Sequence, residues 1–426
     1  MEDTNRKINE KEILDSSDVY LTIKPILYLS RVFGVAPISF PSIYKKNQNN
    51  KIYFFLKQRL YSIILIVLTV FMTLFSLIQA SVDSRIGSDH PTLYFLNLFL
   101  FGIMTFSYLA LSLMNFGKQI IIIIEKIAIV DEFLKIIGKK FAHNANWILV
   151  EVIVLASVII VFLTAETMVN LKNNYFLFVS MIFVYMCMYL QFVVIIQFVN
   201  FVVIIKLLLK EVNSTISGKI CIKSEIWRSL YEKISGIYSN PHQRSIKHNW
   251  FNDPIENNVI LFHNNHCWNK IDLRCLRILN KNIYQIFVAV NDLYGYQMLQ
   301  YFIYAFFQTT WYLYALIFLI TEKKSFPIEC ILWPVIYTIT LLCITGACNS
   351  ASKESQKTAE LLQNLLLLPH IREGTATEIK YFSQQIMVQK IKFSACGFFT
   401  IDYSVLGPMV QAVVTLLVIL VQFRIR

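Results

Sequence analysis

Apolar residues along this chain are gathered into long runs that are separated by polar segments. Seven of these runs are long enough to cross the roughly 30 Å hydrocarbon core of a bilayer, which takes about 20 helical residues. They lie at residues 61–81, 92–114, 146–169, 176–205, 298–320, 328–348 and 404–423. The pattern therefore predicts an all-α membrane protein with seven transmembrane helices.

The composition agrees with a membrane protein. Of the 426 residues, 56% are hydrophobic and only 15% are charged, whereas charged residues make up about a quarter of a soluble domain. The net charge of +12 would suit nucleic acid if the basic residues formed one face of a soluble domain. They lie between the apolar runs instead, so we expect a membrane protein that does not bind nucleic acid.

The basic residues are distributed unevenly between the two sides of the predicted membrane. All but six of the 39 lysines and arginines fall in residues 1–60, 115–145, 206–297 and 349–403. Because cytoplasmic segments carry an excess of such residues, these four segments are predicted to be cytoplasmic, and the C-terminus extracellular. The first 20 residues are polar and acidic, which predicts no cleavable signal peptide.

This topology gives the expected layout of the whole chain. It consists of a cytoplasmic N-terminal segment at 1–60, transmembrane helices one to four within 61–205, a cytoplasmic loop and helix at 206–297, transmembrane helices five and six at 298–348, cytoplasmic helices at 349–403, and the last transmembrane helix with a short extracellular tail at 404–426. The outer loops are too short to form a ligand-binding domain, so an external ligand must bind between the helices.

Amphipathic patterns predict that several helices continue into the cytoplasm. Residues 271–297 are expected to run as a helix into the fifth span, residues 350–368 to extend the sixth, and residues 375–392 to form a further helix. Residues 120–124 are predicted to belong to a cytoplasmic extension helix, with a re-entrant segment as the alternative, and 211–268 to form a flexible loop. The apolar stripes of such helices need one another or another subunit for burial.

The last span carries one uncharged amide, Gln422, in an otherwise apolar helix that ends at Arg424. A buried amide in a membrane helix is costly unless it faces water or a partner. Two interpretations follow from the residues alone. Gln422 either faces a pore or hydrogen-bonds a neighbouring helix, and in the second case Phe423 marks the membrane interface.

Two adjoining C-terminal segments resemble the signature of the insect gustatory receptors, which are related to the insect odorant receptors. The segments are residues 393–402 and 415–423, and the family closes its last helix with Thr-Tyr, five apolar residues and Gln-Phe. Leu416 stands where the family usually has Tyr. Residues 351–358 and 29–37 are also similar to stretches of these receptors.

The resemblance implies a ligand-gated, non-selective cation channel in the plasma membrane of chemosensory neurons. Members of this family assemble as tetramers, so a homo- or hetero-tetramer with other gustatory receptor subunits is expected, in contact with membrane lipid. The last helix of each subunit would line one central pore, and the cytoplasmic extensions would form a shared anchor. Gln422 and Phe423 are then expected to form rings near the outer mouth, with Thr415, Val418 and Ile419 lining or backing the pore.

Polar and aromatic residues in the predicted outer halves of the spans are candidates for binding a small-molecule tastant. They are Tyr304, Gln308, Trp311, Glu166, Trp333 and Tyr337. The first three lie at positions i, i+4 and i+7, on one face of the fifth span. An amide beside aromatic rings suits a hydroxylated ligand, which favours a sugar slightly over a bitter compound. The alternatives are that the aromatic residues belong to the interfacial belts of a membrane protein and that Glu166 snorkels to the interface.

The sequence offers no residues for an enzyme, a cofactor or a metal. It contains no nucleophile motif, phosphate-binding loop or zinc-protease pattern. The histidines and cysteine of residues 263–267 have metal-like spacing, but no second ligand pair matches them. The alternatives to a gustatory channel are a receptor of the G-protein-coupled type and a seven-span small-molecule transporter.

Overall fold

The fold is almost entirely helical in the computed structural model, which describes residues 60–75, 102–111, 117–136, 175–217, 270–321, 329–367 and 373–425, with Pro25, Tyr28, Ser30 and Ile78. The helices in these ranges are α1 (Leu60–Phe75), α2 (Gly102–Leu111), α3 (Gly117–Ile136), α4 (Tyr175–Ser217), α5 (Lys270–Thr321), α6 (Glu329–Leu366), α7 (Glu373–Val388) and α8 (Leu406–Ile425). Strands β1 (Ser394–Ala395) and β2 (Phe399–Thr400) and a 3₁₀ helix (Tyr403–Val405) connect α7 to α8.

Helices α5 and α6 are much longer than a bilayer is thick. Helix α5 has 52 residues and is therefore about 78 Å long at 1.5 Å per residue. Its first turns bury Leu273, Leu276 and Ile283 completely, as the amphipathic pattern requires. The prediction that residues 271–297 run as a helix into the fifth span is confirmed, and the 38 residues of α6 confirm the predicted extension of the sixth.

The shorter predicted helices are also present, with changed ends. Helix α3 contains residues 120–124, buries Ile120, Ile123 and Ile127 completely and packs along α5. Helix α7 ends at Val388, four residues before its predicted end. The predicted third span, residues 146–169, lies outside the described residues.

The predicted loop at 211–268 is wrong for its first seven residues, because α4 continues to Ser217. The Asn213 side chain there is satisfied by partners on another helix, whereas the hydroxyls of Ser214, Thr215 and Ser217 donate to carbonyls of their own helix. The Asn213 side-chain amide donates to the backbone carbonyl and to the carboxylate of Glu354 on α6, both at 2.9 Å. The hydroxyl of Thr358 donates to the side-chain oxygen of Asn213 at 2.7 Å. This network holds the end of α4 against α6.

Replacing Asn213 with Ala is expected to destabilise the protein by about 3 kcal/mol, because three hydrogen bonds worth about 1 kcal/mol each are lost. The measurement is the melting temperature of the detergent-solubilised protein. Ser217→Ala is the matched control, since the exposed Ser217 hydroxyl donates to carbonyls of its own helix. Equal melting temperatures for the two variants would contradict a stabilising role for Asn213.

Four stretches of the described chain are long and apolar enough to cross a membrane, namely Cys187–Ser217, Leu273–Thr321, Cys330–Leu366 and Tyr403–Phe423. The core lies where the first three pack together. In the most apolar window of each stretch, 67% of α4 is buried but only 6% of α8. Helix α8 packs against α5, and the other described residues leave most of its surface uncovered.

Helix α7 is fastened to the first part of α5. The guanidinium of Arg277 lies 3.3 Å from the carboxylate of Glu378 and 6.0 Å from the centre of the Tyr381 ring. The side-chain amide of Gln385 donates to the backbone carbonyl of Arg277 at 3.3 Å. These contacts hold α7 beside the segment of α5 that precedes the predicted fifth span, residues 298–320.

Candidate functional site

An aromatic cluster joins α5 to α6. The hydroxyl of Tyr337 on α6 donates to the hydroxyl of Tyr304 on α5 at 3.4 Å. The centres of these two rings lie 5.8 Å apart, nearly perpendicular at 84°. Trp333, one turn before Tyr337, stacks on it at 5.9 Å. All three side chains are buried, so residues that are distant in the sequence form one packed cluster between α5 and α6.

The other predicted ligand-binding residues differ in how they relate to this cluster. Gln308 lies one turn beyond Tyr304 on the same face of α5 and is also buried. Trp311, on the next turn, is only half-buried. Glu166 lies outside the described residues. The structure therefore buries Tyr304, Gln308, Trp333 and Tyr337 between the packed helices and leaves Trp311 at the margin of this buried region.

The polar face of α5 continues further towards the start of the helix than Tyr304. Counting back from Gln308, the face passes through Tyr304, Tyr301, Gln297 and Tyr294, all at most 2% exposed. Neither side-chain polar atom of Gln297 has a hydrogen-bond partner among the described residues. The alternating spacing of three and four residues was a usable signal, but it was hidden among the other aromatic residues of the span. The aromatic cluster is thus continued along α5 by a buried face of phenol and amide side chains.

The residues predicted to line a pore share one face of α8. Each of these residues lies three or four positions from another member of the set, and all five are exposed, with Phe423 at 77%. The set is Thr415, Val418, Ile419, Gln422 and Phe423. The hydroxyl of Thr415 donates to the Gln411 carbonyl of its own helix at 2.9 Å. Leu416, at the position where the family usually has Tyr, is half-buried. A face that carries an amide and a large ring is left uncovered by the described residues.

A small β-hairpin precedes α8. Strands β1 and β2 pair antiparallel, with Ser394 opposite Thr400 and Ala395 opposite Phe399. Both Cys396 (φ 51°) and Gly397 (φ 77°) have positive φ, as turns of the I′ class require. The turn is closed by a bond from the Phe398 amide to the Ala395 carbonyl at 3.0 Å. The segment that the sequence singled out as a motif is therefore a hairpin.

Asp402 caps the 3₁₀ helix that leads from the hairpin into α8. Its carboxylate accepts hydrogen bonds from the hydroxyl and the backbone amide of Ser404 and from the hydroxyl of Thr400 at 3.2 Å. The bond from the Ser404 hydroxyl is the main cause that lowers the pKa of Asp402 below its ordinary value of 3.8. The ionised carboxylate is therefore the form that stabilises this corner of the fold.

The cap is expected to contribute about 1 kcal/mol, and this contribution should depend on pH. Because the pKa of Asp402 is lower in the folded state, the contribution is complete above the ordinary value of 3.8 and is lost as the pH falls through the folded pKa. We expect Asp402→Ala to have a lower melting temperature than the wild type at neutral pH. In acid, the melting temperatures of the two proteins should become nearly equal. A difference between the two proteins that stays constant with pH would contradict the cap.

The described residues offer no metal site, since none of them form a cluster of three or more His, Cys, Asp or Glu side chains. The cysteines in the same parts of the chain are free thiols. Residues 263–267, which carry the metal-like spacing, lie outside the described ranges. In these ranges, the candidate site is therefore defined by aromatic, amide and hydroxyl groups.

Comparison with known proteins gives a match over nearly the whole chain. The family model of the 7tm chemosensory receptors matches residues 23–426. Gustatory receptor 68a of Drosophila melanogaster is 29% identical over 170 residues, or 37% of this chain and 40% of the relative. The gustatory receptor for sugar taste 43a of the same species is 33% identical over 93 residues, or 22% of each chain. The gustatory receptor for bitter taste 66a is 28% identical over 155 residues, or 34% of this chain and 29% of the relative. The matched parts thus span between about a fifth and two fifths of the relatives' length.

Solved structures share the fold. The insect olfactory receptor OR5 from Machilis hrabei superposes with a TM-score of 0.61 at 13% identity, covering 94% of this chain and 97% of the receptor. The same receptor in complex with eugenol gives a TM-score of 0.59 at 12% identity, with the same coverage. The matched family consists of chemosensory receptors and not of enzymes, as the sequence predicts. The chain is a multi-pass membrane protein that belongs to the 7tm chemosensory receptor family.

Proposed function

We propose that this chain is a gustatory receptor that is itself a cation channel, opened by a tastant and built as a tetramer. The observation that carries the proposal is the uncovered face of α8. Gln422 and Phe423 lie on it, at the end of an apolar helix. In hydrocarbon, a solvent-free amide without a partner is costly. Four copies of α8 around a common axis would give Gln422 water or a partner and would close the pore with rings of Phe423.

The tastant is proposed to bind at the aromatic cluster of α5 and α6. The phenols of Tyr304 and Tyr337 and the amide of Gln308 supply donors and acceptors, while Trp333 offers a ring face. This combination favours a polyhydroxylated ligand, because hydroxyls pair with the amide and the C–H surface covers a ring. The relatives include receptors named for sugar and for bitter taste, so they do not distinguish the two ligand classes. The preference for a sugar therefore rests on the side chains of the aromatic cluster and Gln308.

The proposed orientation puts the N-terminus in the cytoplasm and the end of α8 outside. It is supported by the charge count and distinguishes the channel from a receptor of the G-protein-coupled type, whose N-terminus is external. Epitope tags at both ends of the chain, stained in intact and in permeabilised cells, decide the point. Staining of the N-terminal tag in intact cells would contradict the orientation.

Electrical recording tests the channel itself. The chain is expressed in cells without taste signalling components, and currents are recorded during exposure to monosaccharides, disaccharides, sugar alcohols, quinine and caffeine. We expect a cation current that persists when G-protein signalling is blocked. A surface-expressed protein that stays silent with every compound would contradict the proposal, and uptake of a labelled sugar without gated current would favour a transporter.

A further inference from the structure

The hairpin before α8 is held by α5, one of the two helices that carry the aromatic cluster. The side-chain oxygen of Asn291 accepts a hydrogen bond from the backbone amide of Ser394 at 2.8 Å. The Asn291 side-chain nitrogen lies 3.5 Å from the Ser394 hydroxyl. Further along α5, the ring of Phe302 packs edge-on against Phe399 of β2, with the ring centres 5.2 Å apart. The hairpin therefore lies along one side of α5.

Gly295 allows this close approach. It lies one turn after Asn291 on the same side of α5. A Cβ added at this position would come within 3.3 Å of the backbone nitrogen of Cys396 and of the backbone oxygen of Ser394, which is tighter than an ordinary van der Waals contact. Because the neighbouring atoms are backbone, they cannot move aside as the end of a flexible side chain can. A side chain at this position would displace the hairpin.

The second helix of the cluster, α6, also touches this connection. A Cβ added at Gly346 would lie 3.0 Å from the hydroxyl oxygen of Tyr403. Tyr403 begins the 3₁₀ helix, which continues directly into α8. The segment between α7 and α8 is therefore seated against α5 through the hairpin and against α6 through Tyr403.

Both helices are continuous between the cluster and these contacts. On α5, Asn291 and Tyr304 are about 20 Å apart along the axis. On α6, Gly346 and Tyr337 are about 14 Å apart. A helix transmits a displacement along its axis as a rigid element. A change in the relative position of α5 and α6 at the cluster is thus carried to the start of α8.

We propose that the hairpin, residues 393–402, couples the tastant-binding face of α5 and α6 to α8, with Asn291 and Gly295 as its positioning residues. This inference rests on the proposed channel function. It identifies the contacts through which a structural change at the tastant site would reach the pore helix, α8. Neither positioning residue belongs to the aromatic cluster, so changing them should alter the efficiency of opening more than the binding of the tastant.

The test measures the maximal current, the half-maximal concentration and the surface amount with the same panel of sugars and sugar alcohols. Asn291→Leu removes the acceptor for the Ser394 amide, and the loss of one such hydrogen bond shifts the opening equilibrium about fivefold. We expect the maximal current per surface receptor to fall by about that factor, with a smaller change in the half-maximal concentration. Asn291→Asp keeps the acceptor oxygen and should retain most of the current. Asp292→Leu, at an exposed position on the same turn, is the matched control and should behave like the wild type.

A glycine pair provides an independent test. Gly295→Ala should lower the maximal current in the same way, because its Cβ meets the hairpin backbone. Gly407→Ala adds the same methyl group where nothing lies within 4 Å, and it should leave the current unchanged. If the wild type responds and Asn291→Leu and Gly295→Ala respond equally well per surface receptor, the coupling role is overturned while the channel function stands. A silent wild type overturns both.

Discussion

Replacing Gln308 with Ala is expected to abolish the response to a sugar while leaving assembly and surface expression intact. The buried amide offers one carbonyl acceptor and one amino donor to a hydroxylated ligand. Each hydrogen bond lost from such a site is worth about 1–3 kcal/mol, so the removal of both lowers the affinity by about 30-fold or more. The measurement is the concentration–response curve of the cation current.

Thr310→Val serves as the control for this variant. Thr310 is as buried as Gln308, at 2% exposure each, and its hydroxyl donates to the Phe306 carbonyl of its own helix at 2.8 Å. The control changes a buried polar side chain of α5 at a position off the polar face. An unchanged curve for Gln308→Ala would remove this amide from the tastant site, whereas an equal loss in both variants would indicate a general effect on the packing of α5.

Replacing Phe423 with Ala is expected to produce a cation current in the absence of any tastant. In the proposed tetramer, the Phe423 rings keep the narrow end of the pore dry, and a small side chain allows water and ions to enter. A loss of only about 1.4 kcal/mol from the closed state raises the ratio of open to closed channels about tenfold. The leak current of resting cells measures the effect, normalised to the surface amount.

Val410→Ala is the control for the pore variant. Val410 is also exposed on α8, at 63%, but it lies on another side of the helix from the proposed pore face. Its truncation should leave resting cells without a leak. If Phe423→Ala stays closed at rest and opens normally with a tastant, Phe423 is not the gate.

The helical extents of the described chain were largely predictable, because the hydrophobic pattern is a local signal. The segment 271–297 shows this: its apolar residues recur at helical spacing, and the structure buries them. The end of α4 shows the limit. Residues around Asn213 look like a polar loop in isolation, and the Asn213 side chain finds its partners only on α6, at Glu354, 141 residues away in the sequence, and at Thr358.

The candidate site was predictable as a set of residue types and not as an arrangement. The spacing of Tyr304 and Gln308 identified one face of α5. That Tyr337 and Trp333 meet this face depends on how α5 and α6 pack, which no local pattern contains. The same holds for the hairpin, where the resemblance singled out the segment around Cys396. Its positive backbone angles, and its contact with Asn291 over 100 residues away, follow only from the three-dimensional fold.

The hydroxyl of Thr415 has a consequence for the charge of the ions that α8 would admit. Its hydrogen is directed at the Gln411 carbonyl of the same helix, so the oxygen has only lone pairs left to offer outward. A ring of such oxygens around a central axis would solvate a positive ion and offer nothing to a negative one. An intrahelical bond would thereby act as a filter against anions, without a single charged side chain.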